Sequence, residues 1–89
     1  MRFEYDPRKS EANKLKHGID FEDARRMWDD DDRVVAVASY PEERRFLTVG
    51  LIDGKPWTAI WTERGETVRL ISVRRARKEE TRLYYSRRA

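Results

Sequence analysis

Residues 46–62 read FLTVGLIDGKPWTAIWT. Two runs rich in β-branched and aromatic residues, Phe46 to Ile52 and Trp57 to Thr62, flank Asp53-Gly54, a pair suited to the positive backbone angles of a tight hairpin turn. Working outward, Val34 to Tyr40 forms a similar run ahead of Pro41-Glu42-Glu43, and Thr67 to Val73 forms another after Arg64-Gly65. Connections this short force antiparallel neighbours, so the spacing predicts a four-stranded meander. Arg2 to Tyr5 alternates polar and apolar and predicts a fifth, short strand that adds at an edge or pairs centrally.

The flanking segments read as helices. Asp6 is a suitable N-cap, Pro7 fits the first helical position, and Gly18 supplies the left-handed residue after His17. Inside this first helix only Ala12 and Leu15 form a clear core-facing pair. Asp20 caps a second, shorter helix whose apolar positions Phe21, Ala24 and Trp28 share a stripe and which ends near Trp28. From Ala76 onward Glu, Lys, Arg, Leu and Ala dominate, which predicts a terminal helix with a thin stripe of Ala76, Leu83 and Tyr84. The expected class is therefore α+β, an antiparallel sheet of four to five strands packed with two N-terminal helices and one C-terminal helix. The chain of 89 residues reads as one domain over residues 1–89.

Composition narrows the function. There are no cysteines, which removes disulfides and thiol chemistry and suits a reducing cytoplasm. The longest unbroken apolar stretch, Val34 to Ala38, is far short of a membrane span, and no signal peptide is recognisable at the start. Charged residues make up 42% of the chain, with a formal net charge of +3. That charge is uneven: residues 1–45 carry ten basic and twelve acidic side chains, residues 46–89 ten and five. A basic C-terminal half suits a polyanion such as nucleic acid, or equally a solvated helix face.

Three clusters could carry chemistry. Lys14, Lys16 and His17 close the first helix, with Asn13 one turn before the only histidine. Histidine titrates near neutral pH and adjacent lysines could hold a phosphate, although a histidine here could simply complement the helix dipole. Thr62-Glu63-Arg64-Gly65 offers a carboxylate and a guanidinium at a turn, or merely a surface ion pair. In Ser72-Val73-Arg74-Arg75-Ala76 the two arginines of an extended segment point to opposite sides, so at most one faces a given cleft. A basic start is unfavourable for a helix, and that misfit favours a function for this cluster. The acidic run Asp29 to Asp32 lacks the spacing of a calcium loop and reads as solvated. Trp57 and Trp61 share a strand face and suggest core or partner contact. No phosphate-binding loop, dinucleotide motif, zinc-protease motif or nucleophile elbow is present.

Read together, Phe3-Glu4-Tyr5-Asp6 with Lys9, Asn13 and Lys16-His17-Gly18, then Phe21 with Ala24, then Thr62-Glu63-Arg64-Gly65, Arg69-Leu70-Ile71-Ser72 and Arg74-Arg75-Ala76 resemble the BrnT family of type II toxins. The resemblance implies a ribonuclease toxin with a RelE-like fold, neutralised by a BrnA-type antitoxin encoded beside it. It further implies a heterotetramer that represses its own operon, with operator DNA bound mainly through the antitoxin. The matched positions are Lys16-His17-Gly18, Glu63-Arg64-Gly65 and Arg74-Arg75-Ala76, and the resemblance assigns none of them a role. Residues 29–43 match least. The expected chemistry is RNA cleavage without metal or other cofactor, since no credible ligand cluster exists. His17 or Glu63 would move the proton, and Arg64 and Arg74 with Lys14 or Lys16 would hold the phosphate. Arg75, Arg77 and Lys78 would contact the RNA.

Overall fold

A computed structural model describes residues 1–38 and 41–88. In chain order the elements are β1 (Arg2–Glu4), α1 (Pro7–His17), α2 (Phe21–Ala24), a 3-10 segment (Arg25–Asp29), β2 (Val34–Ala38), β3 (Arg45–Ile52), β4 (Lys55–Arg64), β5 (Thr67–Arg75) and α3 (Lys78–Arg88). Sheet order is β1-β5-β4-β3-β2, so the expected meander is present from β2 to β5. The sheet is mixed, not purely antiparallel, because β1 lies parallel to β5 with Phe3 opposite Val68. A strand returning after two helices and a meander is free of the hairpin constraint that forces antiparallel pairing. Ser39 and Tyr40, the expected end of β2, lie outside the described residues. The Asp53-Gly54 turn has positive φ at both residues, 52° and 77°, as the hairpin signal required.

One irregularity decides which face each C-terminal residue occupies. Leu70 stands opposite Trp61 but Ser72 opposite Ile60, so Ile71 is an extra residue bulged out of β5. A bulge resets the two-residue alternation. Val68, Leu70 and Val73 therefore all point into the same core, where they meet Ala59, Trp61 and Phe46 beneath α1, α2 and the 3-10 segment. Trp61 is anchored there by its Nε1–H, which donates to Thr48 Oγ1 at 2.8 Å, and by stacking on Phe46 at 4.5 Å. The 3-10 segment closes tightly on β3 at Gly50, where a Cβ would stand 3.1 Å from the Met27 carbonyl oxygen.

Helix α1 docks through polar groups, against expectation. Ala12 is exposed and Leu15 is 90% exposed, while Ser10 and Asn13 are buried. The Ser10 hydroxyl accepts from the Phe21 N–H at 2.9 Å. The Asn13 carboxamide donates to the Ile19 and Val73 carbonyls, both at 2.8 Å, and accepts from the Val73 N–H at 3.1 Å. Pairing between β1 and β5 stops at Glu4 and Arg69, which leaves the edge of β5 open at Val73. Asn13 takes the place of the missing strand residue there and satisfies both backbone groups.

On the opposite face α3 packs mainly on β2 and β3, while its first turn reaches Thr58 of β4 and Arg74 of β5. Tyr84 is fully buried against Val34 and Val49, while Leu83 of the expected stripe is 38% exposed. The Tyr84 hydroxyl donates to Asp30 Oδ2 at 2.6 Å, and the Leu51 N–H donates to the same oxygen at 2.8 Å. Asp29, Asp31 and Asp32 are exposed as expected. Asp30 is the exception, a half-buried post joining the loop, β3 and α3.

Candidate functional site

The C-terminus of α1 forms the first part of the site. Lys14, Lys16 and His17 fill its last turn, and Gly18, at φ 83°, ends it by donating its N–H to the Lys14 carbonyl at 2.9 Å. Left-handed backbone at this position is what allows Ile19 to turn back into the core. Gly18 and Ile19 then face Asp23, Ile52, Asp53, Lys55 and Trp57 across a cavity of about 220 Å³. Trp57 is the register partner of Arg75, whose guanidinium carbon lies 5.4 Å from the centre of the indole ring. Arg75 Nε also donates to the Pro56 carbonyl at 3.3 Å. Cationic stacking of this kind fixes the guanidinium while leaving most of its donors free.

This end of the molecule therefore holds Lys14, Lys16 and His17 on the last turn of α1 and, across the cavity that Gly18 lines, Lys55 and Trp57 with Arg75 stacked on it. Among the described residues none of these five basic side chains forms an ion pair. The nearby Asp53 does: Arg26 grips its carboxylate with both terminal nitrogens, holds it below the usual carboxylate range, and is itself raised in turn. Asp23, the other acidic residue lining the cavity, also lies 3.6 Å from Arg26, so both of the cavity's carboxylates are partnered.

Arg74 is placed differently. The bulge at Ile71 turns it to the α3 face, opposite Arg75, so the alternation expected of the pair holds. Its Nη1 and Nη2 donate to the two oxygens of Glu80 at 2.8 and 2.9 Å, and the two side chains are only 16% and 17% exposed. Glu80 Oε1 also accepts from the Thr58 hydroxyl at 2.9 Å and from the Arg77 N–H at 2.8 Å. The last bond is the return half of a capping box, which with Glu79 relieves the electrostatic misfit of a basic helix start. The Arg74 hydrogen bonds hold the Glu80 carboxyl at about 2 against the desolvation that pushes it up, with Arg77 and Thr58 adding to the lowering. Arg74 is raised by the same contact.

An unfolded glutamate titrates near ~4.3, above the folded value, so the contribution is complete above about pH 5 and is lost as pH falls toward 2. We expect urea unfolding to show about 2–3 kcal/mol more loss between pH 5.5 and 2.5 in the wild type than in Glu80→Gln. The same loss in both proteins would contradict the assignment.

Glu63 and Arg64 are exposed at the far end of the β4–β5 hairpin, where Glu63 faces Val68. Six residues of strand separate Glu63 from Trp57, about 20 Å at strand spacing. The structure thus places Lys14, Lys16, His17 and Arg75 at one end, Glu63 and Arg64 at the other, and Arg74 on the reverse face. Arg77 and Lys78 are exposed at the start of α3. Sequence reasoning missed Lys55 and the way Trp57 serves Arg75. It also missed Glu80, whose position three residues after Arg77 was the available signal.

Elsewhere, a cavity of about 550 Å³ is lined by Phe3, Trp28, Arg25, Arg26 and Arg33. Two of its arginines are already engaged, Arg25 by Glu22 and Arg26 by Asp53. Among the described residues no three His, Asp or Glu side chains are grouped as a metal would need. No helix among them is long and apolar enough to cross a membrane.

No curated protein matches the chain. Residues 5–80 match the family described as ribonuclease toxin, BrnT, of type II toxin-antitoxin system, a span that holds α1, the whole sheet except β1, and the first turn of α3. With most of its length matched, the chain belongs to the BrnT family of ribonuclease toxins.

Proposed function

We propose that this chain is an endoribonuclease that cuts RNA by metal-independent acid–base chemistry at the end of the sheet where α1 meets Trp57 and Arg75. The observation that carries the reading is the gathering of the single histidine, three unpaired lysines and a stacked arginine at one end of a chain from a ribonuclease family. His17 takes the ribose 2′-hydroxyl proton as that oxygen attacks the adjacent phosphate. The bond to the 5′-oxygen breaks, and the proton passes from His17, directly or through water, to the departing oxygen. Arg75 and the lysines stabilise the charge that grows on the phosphoryl oxygens. Glu63 and Arg64 are too distant to share this step, and in this reading Arg64 holds RNA beyond the scissile bond. Arg74, Arg77 and Lys78 contact RNA on the α3 side.

The test is purified chain with RNA in EDTA, followed by analysis of the new ends. We expect 2′,3′-cyclic phosphate and 5′-hydroxyl termini. Products ending in 3′-hydroxyl, or cleavage abolished by EDTA, would contradict the mechanism.

A type II family implies an antitoxin partner. We take it to be of the BrnA type, bound in a heterotetramer that represses the shared operon mainly through antitoxin contacts with DNA, the toxin itself having a RelE-like fold and acting in the cytoplasm. An acidic antitoxin segment suits the unpaired cations at the His17 end. A second reading, a nucleic-acid-binding corepressor that cuts nothing, draws support from the spread of the candidate groups over three places. Expression without antitoxin separates the two, because only the nuclease should arrest growth.

A further inference from the structure

Four donors converge on the Glu80 carboxylate: both terminal nitrogens of Arg74, the Thr58 hydroxyl and the Arg77 N–H, all within 2.8–2.9 Å. Two of these groups are carried by the sheet, while the Arg77 N–H lies immediately before α3. Thr58 and Arg74 are register partners on β4 and β5, Arg74 one residue from the end of its strand, and Thr58 is fully buried. A fork of guanidinium donors joined by a hydroxyl and a backbone N–H matches a phosphate group as well as it matches a carboxylate. The two possible occupants are not equally held. Glu80 arrives on the first turn of α3, a helix whose only fully buried side chain among those described is Tyr84 and whose apolar Leu83 and Tyr85 are 38% and 46% exposed. Its docking combines the single buried ring of Tyr84, set against Val34 and Val49, with two polar posts, Glu80 at Arg74 and the Tyr84 hydroxyl at Asp30. A helix held this way releases at modest cost compared with one sealed by a continuous apolar stripe.

We infer that the Arg74–Thr58–Arg77 cradle is an oxyanion site in which Glu80 stands in for a phosphate group of bound RNA, so that the start of α3 and the nucleic acid compete for it. This inference rests on the ribonuclease reading only for the identity of the anion. In the free protein the site is closed by the chain itself, and RNA opens it by displacing one carboxylate with one phosphate. Neutralising Glu80 should therefore strengthen RNA binding, the reverse of what loss of a merely structural contact would do.

The experiment has two arms. In the first, Tm is measured for wild type, Glu80→Ala and Glu80→Ala/Arg74→Ala with inorganic phosphate or with chloride at matched ionic strength. We expect phosphate to raise the Tm of Glu80→Ala by several degrees more than that of the wild type, with the excess absent in the double variant. In the second, a 2′-O-methyl oligonucleotide, which cannot be cut by attack of the 2′-oxygen, is titrated against wild type and Glu80→Gln, which keeps an acceptor for Thr58 and Arg77 and so protects folding. We expect Kd to fall at least about threefold. An equal phosphate response in all three proteins would overturn the site. Rescue by phosphate with unchanged or weaker oligonucleotide binding would overturn the RNA occupant. Neither arm depends on cleavage, so a failure of the nuclease reading would be seen separately.

Discussion

Asn13→Ala should remove about 3 kcal/mol of stability, the largest loss expected from any single side chain on α1. The carboxamide makes three hydrogen bonds from a position only 7% exposed, and it serves both backbone groups of Val73 and the carbonyl of Ile19. Truncation leaves three buried backbone groups without partners, each costing about 1–3 kcal/mol before any water enters to repay part of it. Hydrophobic contact cannot compensate, since the apolar residues of this helix face solvent. A domain of this length holds roughly 5–10 kcal/mol in total, so the variant should sit near the edge of folding. Urea denaturation, read with an unchanged slope, measures the difference. A loss below about 1 kcal/mol would mean that α1 is held by something other than this junction.

The same residue shows where the sequence was legible and where it was not. The ends of α1 could be read because Asp6, Pro7 and Gly18 act locally, through a side-chain cap, a fixed φ and a left-handed turn. Strands and hairpins were legible for a similar reason, since Asp53-Gly54 sets its own geometry. The buried face of α1 was hidden because periodicity weighs apolar residues, and here Asn13 satisfies backbone left open by a three-residue β1 while Ser10 accepts from the Phe21 N–H at the start of α2. Asp30 escaped for the same reason, as an acidic residue chosen for what it accepts from Leu51 and Tyr84.

The candidate site divides in the same way. That Arg74 and Arg75 face opposite sides is a local property of extended chain and was readable. Which of them meets α3 depends on the single extra residue at Ile71, and nothing in the sequence of β5 announces it. Placement of His17 at the Trp57 end and of Glu63 at the far end is a matter of tertiary path, which spacing along the chain does not encode.

The second large effect concerns activity. His17→Ala should lower RNA cleavage by roughly 10²–10⁴-fold, the usual contribution of a positioned acid or base. The fold should survive, since His17 lies at the end of α1 and makes none of the bonds that dock it. Arg75→Ala should also be slow, by the loss of a cation fixed beside the reacting phosphate. Glu63→Gln, about 20 Å away, should keep most of the wild-type rate.

The decisive measurement is therefore the rate of RNA cleavage in EDTA by wild type, His17→Ala and Glu63→Gln, with circular dichroism confirming that each is folded. We expect near-complete loss in His17→Ala and a rate close to wild type in Glu63→Gln. Loss in Glu63→Gln with His17→Ala still active would move the chemistry to the opposite end of the sheet and contradict the role of His17.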